Sequence, residues 1–376
     1  MPQEKPTSFS YKDAVSTDLS DHLTKTEATP DLNHYSGLHF SNVDQKPSDT
    51  PAPTKPVYKA ERLAFPGIFE SVETSFRIKL EAILTDIYTK AATENLLPSL
   101  EYLYTQLNLL RKETHEEIWK SAAKKVILSH PISKIIFRDP CTKHSFDKPR
   151  GYPGDAALLD YFYQDTNSTN PIQAYTVTRP SGEALRDRIR IIASRIDEIT
   201  ENAPNSTVLS IACGHLHEAE YSKMVQSKKL SQFLALDHDP ETLKKVQEKY
   251  SSLNITTQEL SVFSLIKGHS HFQENSFNFV YAAGLYDYLS PRMAQKLTSI
   301  MFKLLKPGGY LLVSNFVHDT VDRGYMETFM DWFLIYREFP EMETLSQDIP
   351  FEHMKRKTLF RGGNNTILYL EIQKKD

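Results

Sequence analysis

Two residues that follow short apolar runs have the types and the spacing of a nucleotide-binding site. One run begins at Thr207 and breaks at Gly214, and a second begins at Phe233 and ends at Asp237, 23 residues after that glycine. In a doubly wound α/β sheet, such a glycine lets the backbone approach a nucleotide, and an acid about 20 residues later accepts hydrogen bonds from a ribose. The pair predicts a site for a nucleoside-containing ligand.

A second group of polar residues lies in a loop rich in glycine and proline. The segment Asp147–Ala156 contains two glycines and two prolines and carries Arg150, Tyr152 and Asp155. Glycine and proline fix the backbone of such a loop, and loops on a rigid scaffold often carry binding residues. The loop either presents these three side chains to a ligand or serves only as a turn.

An alternation of strands and helices from Ser206 onward has to position these residues. The predicted strands are Val208–Ala212, Phe233–Asp237, Asn254–Glu259, Phe277–Ala283 and Tyr310–Phe316. Helices Pro240–Tyr250 and Pro291–Leu305 lie between them, and residues 355–373 predict an antiparallel hairpin. The fold class is α/β: a doubly wound, mostly parallel seven-stranded sheet with a C-terminal antiparallel hairpin, preceded by an all-helical N-terminal region.

The chain divides into four predicted parts. Residues 1–56 are rich in Ser, Thr, Asp and Pro, which predicts a disordered tail that could bind a partner. Residues 57–145 have helical periodicity, residues 146–200 hold the glycine–proline loop and helices that cover the active site, and residues 201–376 form a Rossmann-like domain. One helix, 182–199, has several arginines that we interpret as a solvated or ion-paired face: Arg186, Arg188, Arg190 and Arg195.

Composition excludes several classes of function. The net charge of −4 provides no basic field for a nucleic-acid backbone, so nucleic acid is not expected as a substrate. The only cysteines, Cys141 and Cys213, lack the spacing of a zinc site or a disulfide framework, and no metal is predicted. No apolar run reaches the ~18 residues of a membrane span. The sequence predicts a cytoplasmic protein that acts on a small molecule, and its oligomeric state stays open.

The segment Leu304–Asn315, in which Pro307-Gly308-Gly309 precedes an apolar run, resembles the turn before the fifth strand of class I S-adenosylmethionine-dependent methyltransferases. A terminal hairpin also fits that superfamily better than a dehydrogenase, whose sheet ends in a sixth parallel strand. Four further segments are similar to a bacterial family described as making extracellular-factor signals of the 3-hydroxypalmitic acid methyl ester type: Arg150–Ala156, Leu209–Gly214, Tyr281–Leu289 and Tyr325–Arg337. The resemblance implies S-adenosylmethionine as the cofactor.

The resemblance also implies where the cofactor binds. Ala212 and Gly214 would pass beneath its methionine part, Asp237 would bind the ribose hydroxyls, and His238 would lie near the adenosine. Ser261 and Val262 would flank the adenine, and Ala283 would close the pocket after the fourth strand.

This sequence departs from the superfamily pattern at three positions of the glycine loop. Ser210 stands where an acid is common, Ala212 replaces the first glycine and Leu216 replaces the third. The ammonium group of the cofactor therefore needs another acceptor. Glu218 or Asp155 could supply one, and we also assign Tyr152 of the glycine–proline loop to the cofactor site.

Residues after the fourth and fifth strands are candidates for contact with the methyl acceptor. We expect Tyr286, Asp287 and Arg337 to act there, with Arg337 on a helix, one position past the aromatic stripe that ends at Tyr336, and holding an acceptor carboxylate. Other candidates are Tyr288, Asn315, His318, Asp331 and Trp332.

The sequence therefore predicts an S-adenosylmethionine-dependent methyltransferase acting on a small molecule, with a hydroxy fatty acid carboxylate as one acceptor. Three alternatives stay open: a degenerate, non-catalytic sensor or scaffold, a nicotinamide-linked oxidoreductase, and a protein or nucleic-acid methyltransferase.

Overall fold

The computed structural model describes residues 66–93, 96–164, 168–269 and 272–376. The predicted disordered tail, residues 1–56, lies outside the described residues. Within them, no helix combines the length and the apolar character that crossing a membrane requires.

Helices fill the described chain before the first strand, as predicted for the N-terminal region. They are α1 (Pro66–Thr93), α2 (Leu96–Glu113), α3 (Glu116–Ser129), α4 (Ser133–Ile136), α5 (Pro140–Asp147), α6 (Ala156–Gln164), α7 (Pro171–Thr178) and α8 (Pro180–Asn202). Proline at the first position of α5, α7 and α8 favours a helix start, because that position needs no N–H donor. Asp139 and Asn170 cap α5 and α7 through the backbone N–H groups of Cys141 and Ile172.

Seven strands follow and form one mixed sheet, which confirms the predicted fold class. They are β1 (Thr207–Ile211), β2 (Gln232–Asp237), β3 (Ile255–Glu259), β4 (Phe277–Ala282), β5 (Leu305–Phe316), β6 (Met354–Arg361) and β7 (Ile367–Lys374). The order is β3-β2-β1-β4-β5-β7-β6, with β1 to β5 parallel and β7 antiparallel to both neighbours. Because β1 has β2 on one side and β4 on the other, the carboxyl ends of these strands frame the crevice where such sheets bind ligands.

Short helices connect the strands and complete the layers around the sheet. They are α9 (Glu218–Tyr221), α10 (Lys223–Gln226), α11 (Pro240–Lys249), α12 (Val262–Ile266), α13 (Pro291–Leu304), α14 (Arg323–Thr328) and α15 (Phe339–Glu343). The apolar face of α13, including Leu297 and Met301, packs in one buried cluster with Val280 of β4 and Val313 of β5.

The Pro-Gly-Gly segment is part of β5 and not only a turn before it. Leu305 pairs with Phe277, so the strand begins five residues before the predicted start at Tyr310. Gly308 has a φ of 74°, and a Cβ atom on Gly309 would lie 3.1 Å from the carbonyl oxygens of Phe277 and Asn278. Glycine is therefore needed where β5 starts beside β4.

The predicted helix through Arg337 is wrong. Helix α14 ends at Thr328, Asp331 has a φ of 48°, and residues 331–338 lie in neither a helix nor a strand. The backbone N–H of Ile335 donates to Asp287 O at 2.7 Å, and that of Arg337 donates to Phe316 O at 3.0 Å. These bonds to neighbouring elements replace helical bonds, so the aromatic spacing in this segment reflects burial and not a helix.

Candidate functional site

The loop after β1 has the backbone of a glycine-rich loop although only one of its residues is glycine. Ala212, Gly214 and Leu216 all have positive φ, at 54°, 54° and 55°. A left-handed conformation costs a residue with a Cβ atom roughly 1–2 kcal/mol. Ala212 and Leu216 thus adopt the glycine conformation at the two positions where the superfamily pattern has glycine.

Asp237 joins this loop to the end of β2. Its Oδ2 accepts a hydrogen bond from Gly214 N at 3.0 Å, and its Oδ1 accepts from His238 N at 2.7 Å and from Asp239 N at 3.1 Å. Three backbone donors fix the direction of this nearly buried carboxylate. The structure brings together the glycine and the acid that the sequence pairs.

Glu218 places a carboxylate beside β4, close to the position that lacks the usual acid. The Tyr281 hydroxyl donates to Glu218, and Tyr281 is the register partner of Ser210. Burial raises the pKa of the Glu218 carboxyl, and the bond from Tyr281 lowers it in part. Glu218 therefore places a carboxyl group near the carboxyl ends of β1 and β4, where it already accepts a hydrogen bond from Tyr281.

The glycine–proline loop contacts residues that follow the carboxyl ends of β2 and β4. The rings of Tyr152 and His238 are 5.8 Å apart, and the Tyr288 hydroxyl donates to Pro153 O at 3.2 Å. Burial and the nearby charges of Asp237, Asp155 and Asp239 raise the pKa of Tyr152.

Asp155 has structural partners within its own segment. Its Oδ1 accepts from Leu158 N at 2.8 Å at the start of α6, and His144 Nε2 lies 2.9 Å from the same oxygen. Of the two candidates for the ammonium group, Glu218 directly follows the loop after β1, whereas Asp155 caps α6.

The remaining residues assigned to the cofactor lie after β3 and β4. Ser261 caps α12 through Ser264 N at 3.1 Å, and Val262 is the first residue of that helix. The half-buried Ala283 accepts a hydrogen bond at its carbonyl from Ser314.

Two of the predicted acceptor contacts point into the protein. Tyr286 is fully buried, and its hydroxyl lies 2.8 Å from Thr298 Oγ1. Arg337 Nη1 donates to Tyr286 O at 2.6 Å and also to Asn315, and its Nη2 donates to Leu289 O. Because both terminal nitrogens bond to protein oxygens, Arg337 holds the turn after β4 against β5 instead of facing a ligand.

Asp287 is buried beside the same turn and accepts from Phe316 N at 2.8 Å. Burial raises the pKa of its carboxyl to about 6, although the Phe316 N–H and the charges of Arg188 and Arg337 lower it in part. A carboxyl in this state changes its charge near neutral pH.

Sequence reasoning missed Arg188, which it placed on a solvated or ion-paired face. Arg188 is only 3% exposed, and a Cβ atom on Gly284, after β4, would lie 3.3 Å from its Nη2. Its Nη2 donates to Tyr163 Oη at 3.4 Å, and its Nε finds no partner within the described part of the chain. The signal was present in the sequence, because Arg188 follows Leu185 by three positions and precedes Ile192 by four on the apolar face of α8.

Comparisons with known proteins agree with this geometry. Residues 208–309 match the family model described as a methyltransferase domain, and no curated protein matches this sequence. A solved structure of a Bordetella parapertussis protein, described as a possible exported protein, is similar with 15% identity over 59% of this chain and 80% of that one, and its TM-score of 0.51 shows the fold.

The N-methyltransferase NodS from Bradyrhizobium japonicum WM9, in complex with S-adenosyl-L-homocysteine, is also similar. The identity is 12%, over 58% of this chain and 98% of that one, with a TM-score of 0.38.

The strand order and the match of residues 208–309 to a methyltransferase domain support S-adenosylmethionine as the cofactor. The residues present fit that cofactor. Residues 212 and 214 of the loop after β1 carry little or no side chain, and the carboxylate of Asp237 is fixed beside this loop by Gly214 N.

Proposed function

We propose that this protein transfers a methyl group from S-adenosylmethionine to the carboxylate of a small, largely apolar acid, for which a hydroxy fatty acid is a candidate. The observation that carries the proposal is Arg188, a buried guanidinium at the carboxyl end of β4 with a donor that has no partner in the described residues. The charge of Arg188 acts on the nearby Asp287 carboxyl, but a buried Nε–H without an acceptor is costly unless a ligand supplies one. The planar fork of an arginine suits a carboxylate.

A narrow cavity with an apolar wall begins one turn of α8 away from this arginine. Leu185, Phe162, Phe316, Met326 and Met330 form the apolar wall, and the ion-paired Arg179 and Asp322 lie on the polar side. An acid whose carboxylate reaches Arg188 could place its apolar part toward this wall, where the unbranched methionine side chains adapt their shape readily. This supports an amphipathic acceptor rather than a highly charged one.

The chemistry asks little of the protein beyond alignment. A carboxylate is already ionised at neutral pH, and its attack on a sulfonium methyl is an in-line displacement that needs positioning and exclusion of water. In this proposal Asp237 accepts from the ribose hydroxyls, Glu218 receives the ammonium group, and Arg188 orients the acceptor. The loop from Arg150 to Asp155 covers the bound cofactor and acceptor.

A non-catalytic sensor or scaffold is the second candidate. One observation favours it: the Glu218 carboxylate is already engaged by Tyr281, while Ser210 offers no charge to the ammonium group. A sensor of this kind binds the cofactor or its product without turning it over.

The test combines product analysis with binding. Protein is incubated with methyl-labelled S-adenosylmethionine and long-chain 3-hydroxy acids, and the label is followed into a product that releases methanol in base, as esters do. We expect Arg188→Met to reduce ester formation at least about 100-fold, because a lost charge-assisted contact in the transition state costs about 3 kcal/mol. Binding of S-adenosylhomocysteine by calorimetry should change less than threefold.

Arg190→Met, on the same helix but half-exposed, is the matched control and should keep ester formation. Ester formation by Arg188→Met at the wild-type rate would reject the acceptor role of this arginine. Product binding without transfer to any acid or extract fraction would favour the sensor.

A further inference from the structure

The structure brings two histidines and one aspartate into contact beside the loop after β1. His215 Nδ1 lies 2.9 and 3.0 Å from the two carboxylate oxygens of Asp160, and His217 Nε2 lies 2.7 Å from Asp160 Oδ1. Asp160 is in α6, 55 residues before His215, which is why the sequence alone predicts no metal ligands. The candidate ligand atoms all lie within 4.8 Å of one another.

We propose that Asp160, His215 and His217 bind a divalent transition-metal cation of the Zn²⁺ type. Two imidazoles and one carboxylate suit Zn²⁺, Co²⁺ or Fe²⁺, whereas Mg²⁺ and Ca²⁺ prefer oxygen ligands alone. Zinc–ligand bonds of about 2.0–2.1 Å separate neighbouring tetrahedral ligand atoms by roughly 3.3 Å, so the two histidine–aspartate atom pairs have to widen by about half an ångström.

The two ring nitrogens of His217 each lie beside a carboxylate, an arrangement that suits a metal ligand. His217 Nε2 faces Asp160, and its other nitrogen, Nδ1, lies 3.2 Å from Glu220 Oε1. With a cation between His217 and Asp160, a neutral ring satisfies both sides, binding the metal through Nε2 and donating Nδ1–H to Glu220.

The surroundings of His217 have the pattern that fixes a metal-ligating histidine. Such a ring usually donates its second N–H to a carboxylate, which sets its tautomer and orientation. Glu220 is itself held by the hydroxyl of Tyr250 at 3.1 Å and by an ion pair with Lys249. The ring of Tyr163 packs 4.9 Å from that of His217.

Partial exposure gives a cation access to the cluster, and burial shields a bound cation from solvent. The Asp160 side chain is 26% exposed, whereas His215 is 8% exposed and His217 is 4% exposed. Three protein ligands leave at least one coordination position for water or a ligand oxygen. Metal binding at this cluster does not depend on the proposed methyl transfer.

The experiment uses the full chain without an affinity tag, dialysed against a chelator and titrated with Zn²⁺ and Co²⁺ by calorimetry. We expect about one cation per chain, unaffected by millimolar Mg²⁺. The Co²⁺ form should have absorption bands of nitrogen and oxygen coordination, without a thiolate band, and X-ray absorption of the Zn²⁺ form should detect two imidazoles. The spectra are taken on wild-type protein, so they do not depend on the folding of a variant.

Asp160→Asn and His217→Gln should each weaken Zn²⁺ binding at least about 100-fold, because loss of a direct ligand should cost no less than the roughly 10–100-fold that loss of a partner behind a ligand costs. His353→Gln changes an exposed histidine of another region and should bind like wild type. The proposal is overturned if wild-type protein takes up no Zn²⁺ or Co²⁺, if the spectra contain no imidazole ligands, or if a folded Asp160→Asn variant binds as tightly as wild type.

Discussion

At the level of single residues, the loop after β1 has the backbone of a glycine-rich loop at positions that hold other residue types. Ala212 and Leu216 keep the left-handed backbone that glycine makes inexpensive, and Leu216 is buried at 1% exposure. The carboxylate of Asp237 holds Gly214 N in place, and Cys213 N donates to Leu236 O at 3.0 Å. These bonds to β2 stabilise a loop that its own sequence does not favour.

The strain at Ala212 gives a stability prediction. Ala212→Gly should raise the free energy of unfolding by about 1 kcal/mol, because glycine adopts positive φ without the Cβ penalty and this gain exceeds the entropy glycine adds to the unfolded chain. Urea unfolding followed by circular dichroism measures the change. Ala235→Gly, in the middle of β2, should instead lower the stability; a loss in both variants would contradict strain at Ala212.

The raised pKa of Asp287 gives a prediction of pH dependence. The folded state holds a proton on this carboxyl up to about pH 6, whereas the unfolded chain releases it near 4. Stability from this group is therefore greatest below about pH 4 and is lost as the pH rises through 6, by about 3 kcal/mol. Relative to Asp287→Asn, wild type should lose that amount between pH 4 and 7 in urea unfolding; a flat difference would contradict the buried charge.

Arginine roles were the hardest part of the site to predict. Arg188 and Arg337 are both 3% exposed, yet Arg337 donates to three protein oxygens and Arg188 has one long hydrogen bond within the described residues. Sequence spacing could place Arg188 on the buried face of α8. The partners of Arg337 come from the turn after β4 and from β5, so only the folded chain identifies them.

At the level of elements, the position of segment 331–338 after α14 depends on Arg337. Arg337→Met should lower the free energy of unfolding by about 3 kcal/mol or more, because it leaves the buried oxygens of Tyr286, Leu289 and Asn315 without a donor. Arg361→Met removes a part-exposed ion pair with Glu338 and should cost less than about 1 kcal/mol. Equal losses in chemical denaturation would contradict the role of Arg337 in joining these elements.

The glycine–proline loop offers two matched substitutions. Gly151 and Gly154 have φ of 86° and 75°, but only at Gly154 would a Cβ atom overlap the Tyr288 hydroxyl and the Trp332 ring. Gly151→Ala should cost about 1 kcal/mol of strain, whereas Gly154→Ala should also displace Trp332 and break its 2.8 Å bond to Tyr288. Tryptophan fluorescence should shift in Gly154→Ala alone; a shift of equal size in Gly151→Ala would contradict this packing.

Elements were easier to predict than the segments between them. The strands and the long helices follow periodicity and turn residues, and most of their ends differ from prediction by one to three positions. Residues 331–338 have helical aromatic spacing but bond to β5 and to the turn after β4. Hydrogen bonds to other elements determine the conformation of that segment, and no local sequence pattern encodes these bonds.

At the level of the whole molecule, the helical region and the sheet share buried contacts through α14. The rings of Tyr104 and Tyr325 stack with centroids 4.0 Å apart, and Arg111 forms a buried ion pair with Glu327. Gly324 lies so close to the backbone of Leu107 that a Cβ atom would overlap it. Helix α2 of the helical region therefore packs through buried contacts against α14, the helix that follows β5.

These buried contacts between α2 and α14 predict that the helical region and the sheet unfold together. Calorimetry should give one transition whose calorimetric and van't Hoff enthalpies agree. Gly324→Ala should lower the melting temperature of that whole transition, because the added methyl group forces α2 and α14 apart and loosens the buried contacts on both sides. Gly363→Ala, in an exposed turn with room for a methyl group, should leave the transition nearly unchanged. Two transitions, with only one moved by Gly324→Ala, would mean that the helices fold apart from the sheet.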